Sequence, residues 1–156
     1  MTIEFMQSTS VDSLIPYVNN ARTHSDEQVA QIAASIREFG FTNPILVDEN
    51  CGIIAGHGRL AAARKLGLDT VPTITLPGLS DAQKKAYVIA DNQLALNAGW
   101  NEDLLKVEIE QLDLGGFDID LLGLDDIDIQ NIAKSKELDS DAFDDIVKYA
   151  LDLTLE

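Results

Sequence analysis

Apolar residues recur along this chain in short bursts with two different spacings. Val29, Ile32, Ala33 and Ile36 lie at i, i+3, i+4 and i+7, one face of a helix. Ser25 precedes them with Gln28 three residues on, a capping-box pattern, and Gly40 ends the run. Pro44-Ile45-Leu46-Val47-Asp48 reads as a strand with proline at its first position, where it is tolerated. Glu49-Asn50-Cys51-Gly52 is a hairpin-type turn into a second buried strand, Ile53-Ile54-Ala55. Leu60 to Leu66 is rich in Ala and Leu, with Lys65 late in the run and Gly67 just past it, the signature of a helix and its C-cap. Thr70 to Leu76 predicts another strand, in which Pro72 points to an edge or a bulge. Ser80 and Gln83 form a second capping box, opening a helix that runs through Gln93 towards Asn97.

The ends are less regular. Residues 3–13 alternate loosely and predict an edge strand that stops before Pro16, and residues 17–24 are polar and turn-like. After Gly99-Trp100-Asn101, residues 102–112 carry Leu and Ile at helical spacing, and Gly115-Gly116-Phe117 breaks the chain again. Residues 118–129 alternate Asp with Ile and Leu, which fits a short helix or an extended acidic segment. Residues 133–141 are polar and expected to be mobile, and residues 143–151 could form an amphipathic helix. Short strands mixed with helices predict an α+β fold, a small mixed sheet flanked by helices, with an acidic, mainly helical C-terminal extension. Lys84 and Lys85, beside Asp81, read as a solvated helix face, and Trp100 reads as a core plug.

Charge divides the chain. Residues 1–100 hold 7 Lys and Arg against 10 Asp and Glu, whereas residues 101–156 hold 4 against 17. The expected domains are therefore 1–100, nearly neutral, and 101–156, an acidic extension or linker. The acidic part repels phosphate backbones, which argues against tight DNA binding by the whole chain unaided. Such a segment more often solubilises, contacts a protein partner or links to a further domain. The single cysteine, Cys51, excludes an internal disulfide and a cysteine-rich zinc site, and its ordinary reading is an inert small residue. The apolar runs fall short of a membrane span and the start lacks a basic n-region. A cytoplasmic protein is expected.

Chemistry concentrates at Gly56-His57-Gly58-Arg59, between a strand and a helix. Such a turn aims free N–H groups and the positive end of a helix dipole at one point, which suits an anion. Two glycines allow close approach, Arg59 adds a planar fork of donors, and His57 can donate a hydrogen bond or shuttle a proton. The alternative is a tight connection whose His57 and Arg59 face water. Asp91 and Asn92, late in a helix, could hold Mg²⁺ through phosphates, the alternative being that Asp91-Asn92-Gln93 is a polar helix face.

Three segments in one order resemble the ParB N-terminal domain of the ParB/sulfiredoxin superfamily. They are Ala34-Ser35-Ile36-Arg37-Glu38-Phe39-Gly40 before Asn43-Pro44-Ile45-Leu46-Val47, then Ile54 to Ala63, then Ile89 to Ala95. The runs Ala90 to Ala95 and Ala98-Gly99-Trp100 look like the ParB-like (nuclease-labelled) domains of phages and mobile elements, often joined to DNA-modification methyltransferases. Gly116 to Leu124 looks like the linker that leads to a methyltransferase domain. The resemblance implies a nucleotide-binding domain of a DNA-associated protein, with phosphates at Gly56, His57, Gly58 and Arg59. It adds Arg22, Thr42 and Asn43 near the nucleotide, Asn92 and Gln93 at the phosphates, and Asp91 with Asn92 for Mg²⁺. A nucleoside triphosphate or diphosphate with Mg²⁺ is the implied cofactor, and slow NTP hydrolysis with His57 and Asp91 as catalytic groups is the implied chemistry.

In partition ParB the phosphate box reads Gly-Glu-Arg-Arg and holds the triphosphate of CTP; here His57 and Gly58 stand at its middle positions. Sulfiredoxin carries its catalytic cysteine in the same box, which this chain lacks. Free-serine kinases of the superfamily carry Gly-His-His-Arg. A nuclease, a small-molecule kinase and a non-catalytic interaction module stay open as alternatives. Partners are a nucleotide, DNA reached indirectly or through a fused or partner domain, and a protein for the acidic part; a homodimer is one option for self-association.

Overall fold

The computed structural model describes residues 6–18, 20 and 23–124. The chain divides into two compact units, Met1–Asn97 and Ala98–Glu156. In the first, the elements are β1 (Gln7–Ser10), a 3-10 turn (Val11–Ser13), α1 (Asp26–Phe39), β2 (Ile45–Val47), β3 (Ile53–Ala55), α2 (His57–Lys65), β4 (Thr70–Thr75) and α3 (Asp81–Asn97). The second contains α4 (Glu102–Leu114) and a 3-10 turn (Ile119–Leu122). The expected mobile stretch 133–141 and helix 143–151 lie outside the described residues.

The sheet is mixed, in the order β1-β4-β2-β3, as the α+β pattern predicts. β2 and β3 form an antiparallel hairpin, and α2 carries the chain over to β4, which returns parallel to β2. β1 lies antiparallel to β4 at the edge. The sheet is staggered around β4: β1 pairs with Thr70 to Thr73, and β2 with Thr73 to Thr75. Pro72, which cannot donate to a ladder, therefore falls where β4 has a neighbour on one side. The edge-like position expected of it arises within an interior strand.

The core is built from Val11, Leu14, Ile45, Val47, Ile53, Leu60, Ala63 and Val71, with Phe41 packed against it. Ile45 is wholly buried, so truncating it to Ala would cost about 2–5 kcal/mol. The one buried hydroxyl among these strands, on Thr73, is satisfied by Thr9 at 2.7 Å. Small residues at Ala33, Ala62 and Ala63, all buried, let α1 lie close against α2.

Both predicted caps form, with one difference. Ser80 and Gln83 make the full reciprocal box, Gln83 N–H donating to Ser80 Oγ at 3.2 Å and Ser80 N–H to Gln83 Oε1 at 2.9 Å. Ser25 accepts from Gln28 N–H at 3.1 Å, but the Gln28 side chain pairs with His24 instead.

Asp48 holds the β2–β3 turn. Its Oδ1 accepts from Asn50 N–H and Gly52 N–H, both at 2.8 Å, across Cys51, whose φ of 64° is left-handed. Its Oδ2 accepts from Lys84 on α3 at 2.9 Å. Lys84 is thus a pinned residue, not part of a solvated face. It matters because α3 has no fully buried residue of its own. Trp100 likewise departs from expectation: it is 70% exposed and plugs no core.

Candidate functional site

β3 delivers the chain to the site. Ile53 and Ile54 are buried, which fixes the strand, and Gly56 turns it with φ +114° into the first residue of α2. Gly56 is demanded twice over. Its φ is left-handed, and a Cβ there would meet Ile45 Cγ1 at 3.0 Å and Arg59 Nε and Nη2 at 3.1 Å. The Arg59 side chain thus folds back over the glycine. Leu60 N–H is the first to bond within the helix, to Gly56 O at 2.9 Å, which leaves the N–H groups of His57, Gly58 and Arg59 as the orphan donors of the first turn. The sequence places the helix start near Leu60. It begins at His57, so the glycine box is the first turn of α2 itself and its donors point with the helix dipole.

A cavity of about 230 Å³ opens on that turn. Gly56, His57, Gly58 and Arg59 line it from the cap and first turn of α2, His24 from just ahead of α1, Gln28 and Ile32 from α1, and Val88, Asp91 and Asn92 from α3. A larger, mainly apolar cavity of about 530 Å³ adjoins it, lined by Ile15, Pro16, Tyr17, Val18, Ile53 and Ile89 among others. The two share Asn20, Ile54 and Val88.

Arg59 is the unusual group. Its Nε is buried with no hydrogen-bond partner. Burial pushes the guanidinium below its ordinary pKa, while the charges of Asp91 and then Tyr87 work against that shift. An arginine stays protonated regardless, so the site holds a partly desolvated cation with an unmet donor. Burial, reinforced by Asp91 and opposed by Arg59, raises the Tyr87 phenol.

His57 is held by the main chain. Its Nε2 lies 3.0 Å from Tyr17 N–H and must accept from it, so the ring is neutral and carries its proton on Nδ1. Burial and then the neighbouring His24 lower its pKa, which favours the same state. Asn92 Nδ2 donates to Val88 O at 2.7 Å, leaving Oδ1 and the second amide hydrogen for a ligand.

The structure thus brings Gly56, His57, Gly58, Arg59, Asp91 and Asn92 to one cavity. Thr42 and Asn43 are exposed and line neither cavity. Gln93 is exposed and donates to Asn97 Oδ1 at 2.8 Å. Arg22 lies outside the described residues. Cys51 is half-buried on the turn before β3 and lines neither cavity. Three groups at the site had no role there in the sequence: His24, seen only as a residue of the loop before the first helix, Gln28, seen only as a cap, and the Tyr17 N–H that holds His57. The i, i+4 spacing of His24 and Gln28 was the available signal for the first two. Among the described residues no three His, Cys, Asp or Glu side chains gather where they could hold a metal ion, and no helix is long and apolar enough to cross a membrane.

The chain belongs to the ParB N-terminal domain family, whose model matches residues 2–93. It is 59% identical over 75 residues to the ParB-like nuclease domain-containing protein YnaK of Escherichia coli K12, a match spanning 48% of this chain and 86% of that one. It is 33% identical over 94 residues to the nucleoid occlusion protein of Bacillus cereus, spanning 57% of this chain and 32% of that protein. The chain thus covers about a third of the nucleoid occlusion proteins that it matches. Its fold resembles that of the C-terminally truncated chromosome-partitioning protein ParB of Caulobacter crescentus complexed with CTP-γ-S, with a TM-score of 0.63 at 23% identity over 90% of each chain.

Proposed function

We propose that this member of the ParB N-terminal domain family is the nucleotide-binding module of a DNA-associated protein, with the phosphates seated on the first turn of α2. One observation carries the reading: Arg59 is folded over Gly56 with a buried, unpartnered Nε, beside three orphan N–H donors. A cation left unsatisfied at a helix N-terminus is destabilising on its own and is repaid by a bound anion. The adjoining apolar cavity, which shares Ile54 and Val88 with the phosphate end, supports a nucleoside attached to that anion. The Caulobacter relative's complex with a CTP analogue agrees in kind.

The residues also fit Mg²⁺, which takes one or two protein oxygens and fills its shell from phosphate and water. Asp91 and the Oδ1 of Asn92 would be those ligands, and the metal would neutralise phosphate charge. His57 offers its Nδ1–H as a neutral donor. Proton shuttling through Nε2 would require the Tyr17 N–H to let go, so the geometry favours binding over catalysis for this ring. Placement ahead of a DNA-modification methyltransferase is supported by the run Ala90 to Ala95, Gly99-Trp100 and the linker-like Gly116 to Leu124. In that arrangement the acidic residues 101–156 contact the partner and DNA is reached through it.

Calorimetry with CTP, ATP, GTP and ADP, each with Mg²⁺, tests the reading. Binding of at least one, abolished in Arg59→Ala and retained in Cys51→Ser, is the expected result. A folded protein that binds none of them overturns it.

A further inference from the structure

Gly58 is buried in the first turn of α2, and its backbone is not left-handed. A glycine inside a helix costs about 1 kcal/mol relative to alanine, so something other than conformation keeps it here. The neighbour supplies the reason. A Cβ on residue 58 would lie 2.8 Å from His24 Cε1, 2.9 Å from His24 Nδ1 and 3.0 Å from Ile32 Cδ1. The imidazole of His24 occupies the volume that a side chain at position 58 would fill, and it lines the phosphate cavity.

The two histidines of the chain are committed differently. His57 Nε2 accepts from a backbone N–H and the ring is neutral. His24 Nδ1 lies 3.2 Å from Gln28 Oε1, an oxygen that can only accept, so Nδ1 carries the proton. Its Nε2 is then a lone pair in the neutral ring and an N–H donor in the imidazolium. The charged and titratable groups that line the cavity with His24 are His57 and Arg59 on α2 and Asp91 on α3, with Tyr87 of α3 near Arg59. A bound phosphate would place negative charge beside His24.

We propose that His24 is a phosphate-binding residue of this site, donating from Nε2 as the imidazolium, so that anion binding takes up a proton. This rests on the phosphate-site reading above and adds a second cation to it, brought through space from ahead of α1.

The test uses metal-free inorganic pyrophosphate and the full chain, by calorimetry at about pH 6 and about pH 8, either side of an ordinary imidazole pKa. Pyrophosphate's own protonation is common to every protein compared and cancels in their ratio. His24→Gln should bind about as well as the wild type at the higher pH and roughly tenfold more weakly at the lower, the worth of one charge-assisted hydrogen bond. In the unaltered protein, NMR of the two imidazoles should show pyrophosphate raising the His24 titration midpoint and leaving His57 in place. Gly58→Arg should restore binding in a His24→Ala background, without the pH dependence. If Arg59→Ala loses pyrophosphate while His24→Gln matches the wild type at both pH values, or is weakened equally at both, the role of His24 is overturned and the phosphate site stands. An unmoved His24 midpoint with pyrophosphate bound also overturns it. If the wild type binds neither pyrophosphate nor any nucleotide, both readings fall.

Discussion

Arg59→Met separates what the site costs from what it does. Methionine keeps an unbranched stem of similar length over Gly56 and Ile45 but removes the charge and the unpartnered Nε. An unmet buried donor costs about 1–3 kcal/mol, and because the rest of this side chain is partly exposed the low end applies. Without ligand the variant should therefore be more stable than the wild type by about 1 kcal/mol, roughly 4–8 °C in melting temperature for a domain of this size. Phosphate binding should move the other way. Losing charge-assisted contacts worth about 1.5–3 kcal/mol weakens affinity roughly 10- to 150-fold. With pyrophosphate at about 100 times its wild-type Kd, the wild type gains about 2.7 kcal/mol and overtakes the variant. Urea melts with and without pyrophosphate read both effects. The expected result is an inversion of the stability order on adding ligand. A variant less stable than the wild type without ligand, or one that binds as tightly, would refute the idea that Arg59 is held unsatisfied for an anion.

Asp48→Ala removes the acceptor for two turn N–H groups and for Lys84, and should destabilise by about 2–3 kcal/mol in urea melts. Burial alone would raise the Asp48 pKa, but Lys84 and the Gly52 and Asn50 N–H groups together outweigh it and the pKa is lowered. Its stabilisation is thus fully present above the ordinary value of 3.8 and is lost as pH falls through the depressed one, so the wild type should lose more stability than Asp48→Asn on acidification in this range. Gly52→Ala would put a Cβ 2.7 Å from Asp48 Oδ2. It should cost about 1–3 kcal/mol, and less than that once Asp48 is already alanine, which a double-mutant cycle reads directly. Cys51→Gly relieves a left-handed φ of 64°. The strain removed, about 1–2 kcal/mol, exceeds the added chain entropy, so melting should shift slightly upward with pyrophosphate affinity unchanged.

The fold was legible wherever one local signal decided it. Apolar spacing at Val29, Ile32, Ala33 and Ile36 marked α1, and the Ser80–Gln83 pair marked the start of α3. Glycines marked the turn into α2 and the ends of α1 and α2. Errors came where a long-range partner overrides local character. Lys84 looks like any helical lysine until Asp48, distant in sequence, is placed 2.9 Å away. Trp100 is large and apolar, yet size alone does not supply a surface to cover it. Pro72 reads correctly as edge-like, but that it does so inside an interior strand depends on the stagger of β1 and β2, which no property of residues 70–75 encodes.

The site shows the same division more sharply. Gly56 and Arg59 are legible because their roles are local: a left-handed turn, then a cation within the first helical turn. Read along the chain, Gly58 registers as a missing cation, because the comparison runs position against position. The cavity is filled by volume, not by position. A glycine on α2 and a histidine ahead of α1 are one feature seen from two ends, since the imidazole fits only if residue 58 has no Cβ. A substitution that deletes a side chain on one element is therefore informative about its neighbour. The first question at such a glycine is which group has moved into the space, and here that group is one that can carry charge.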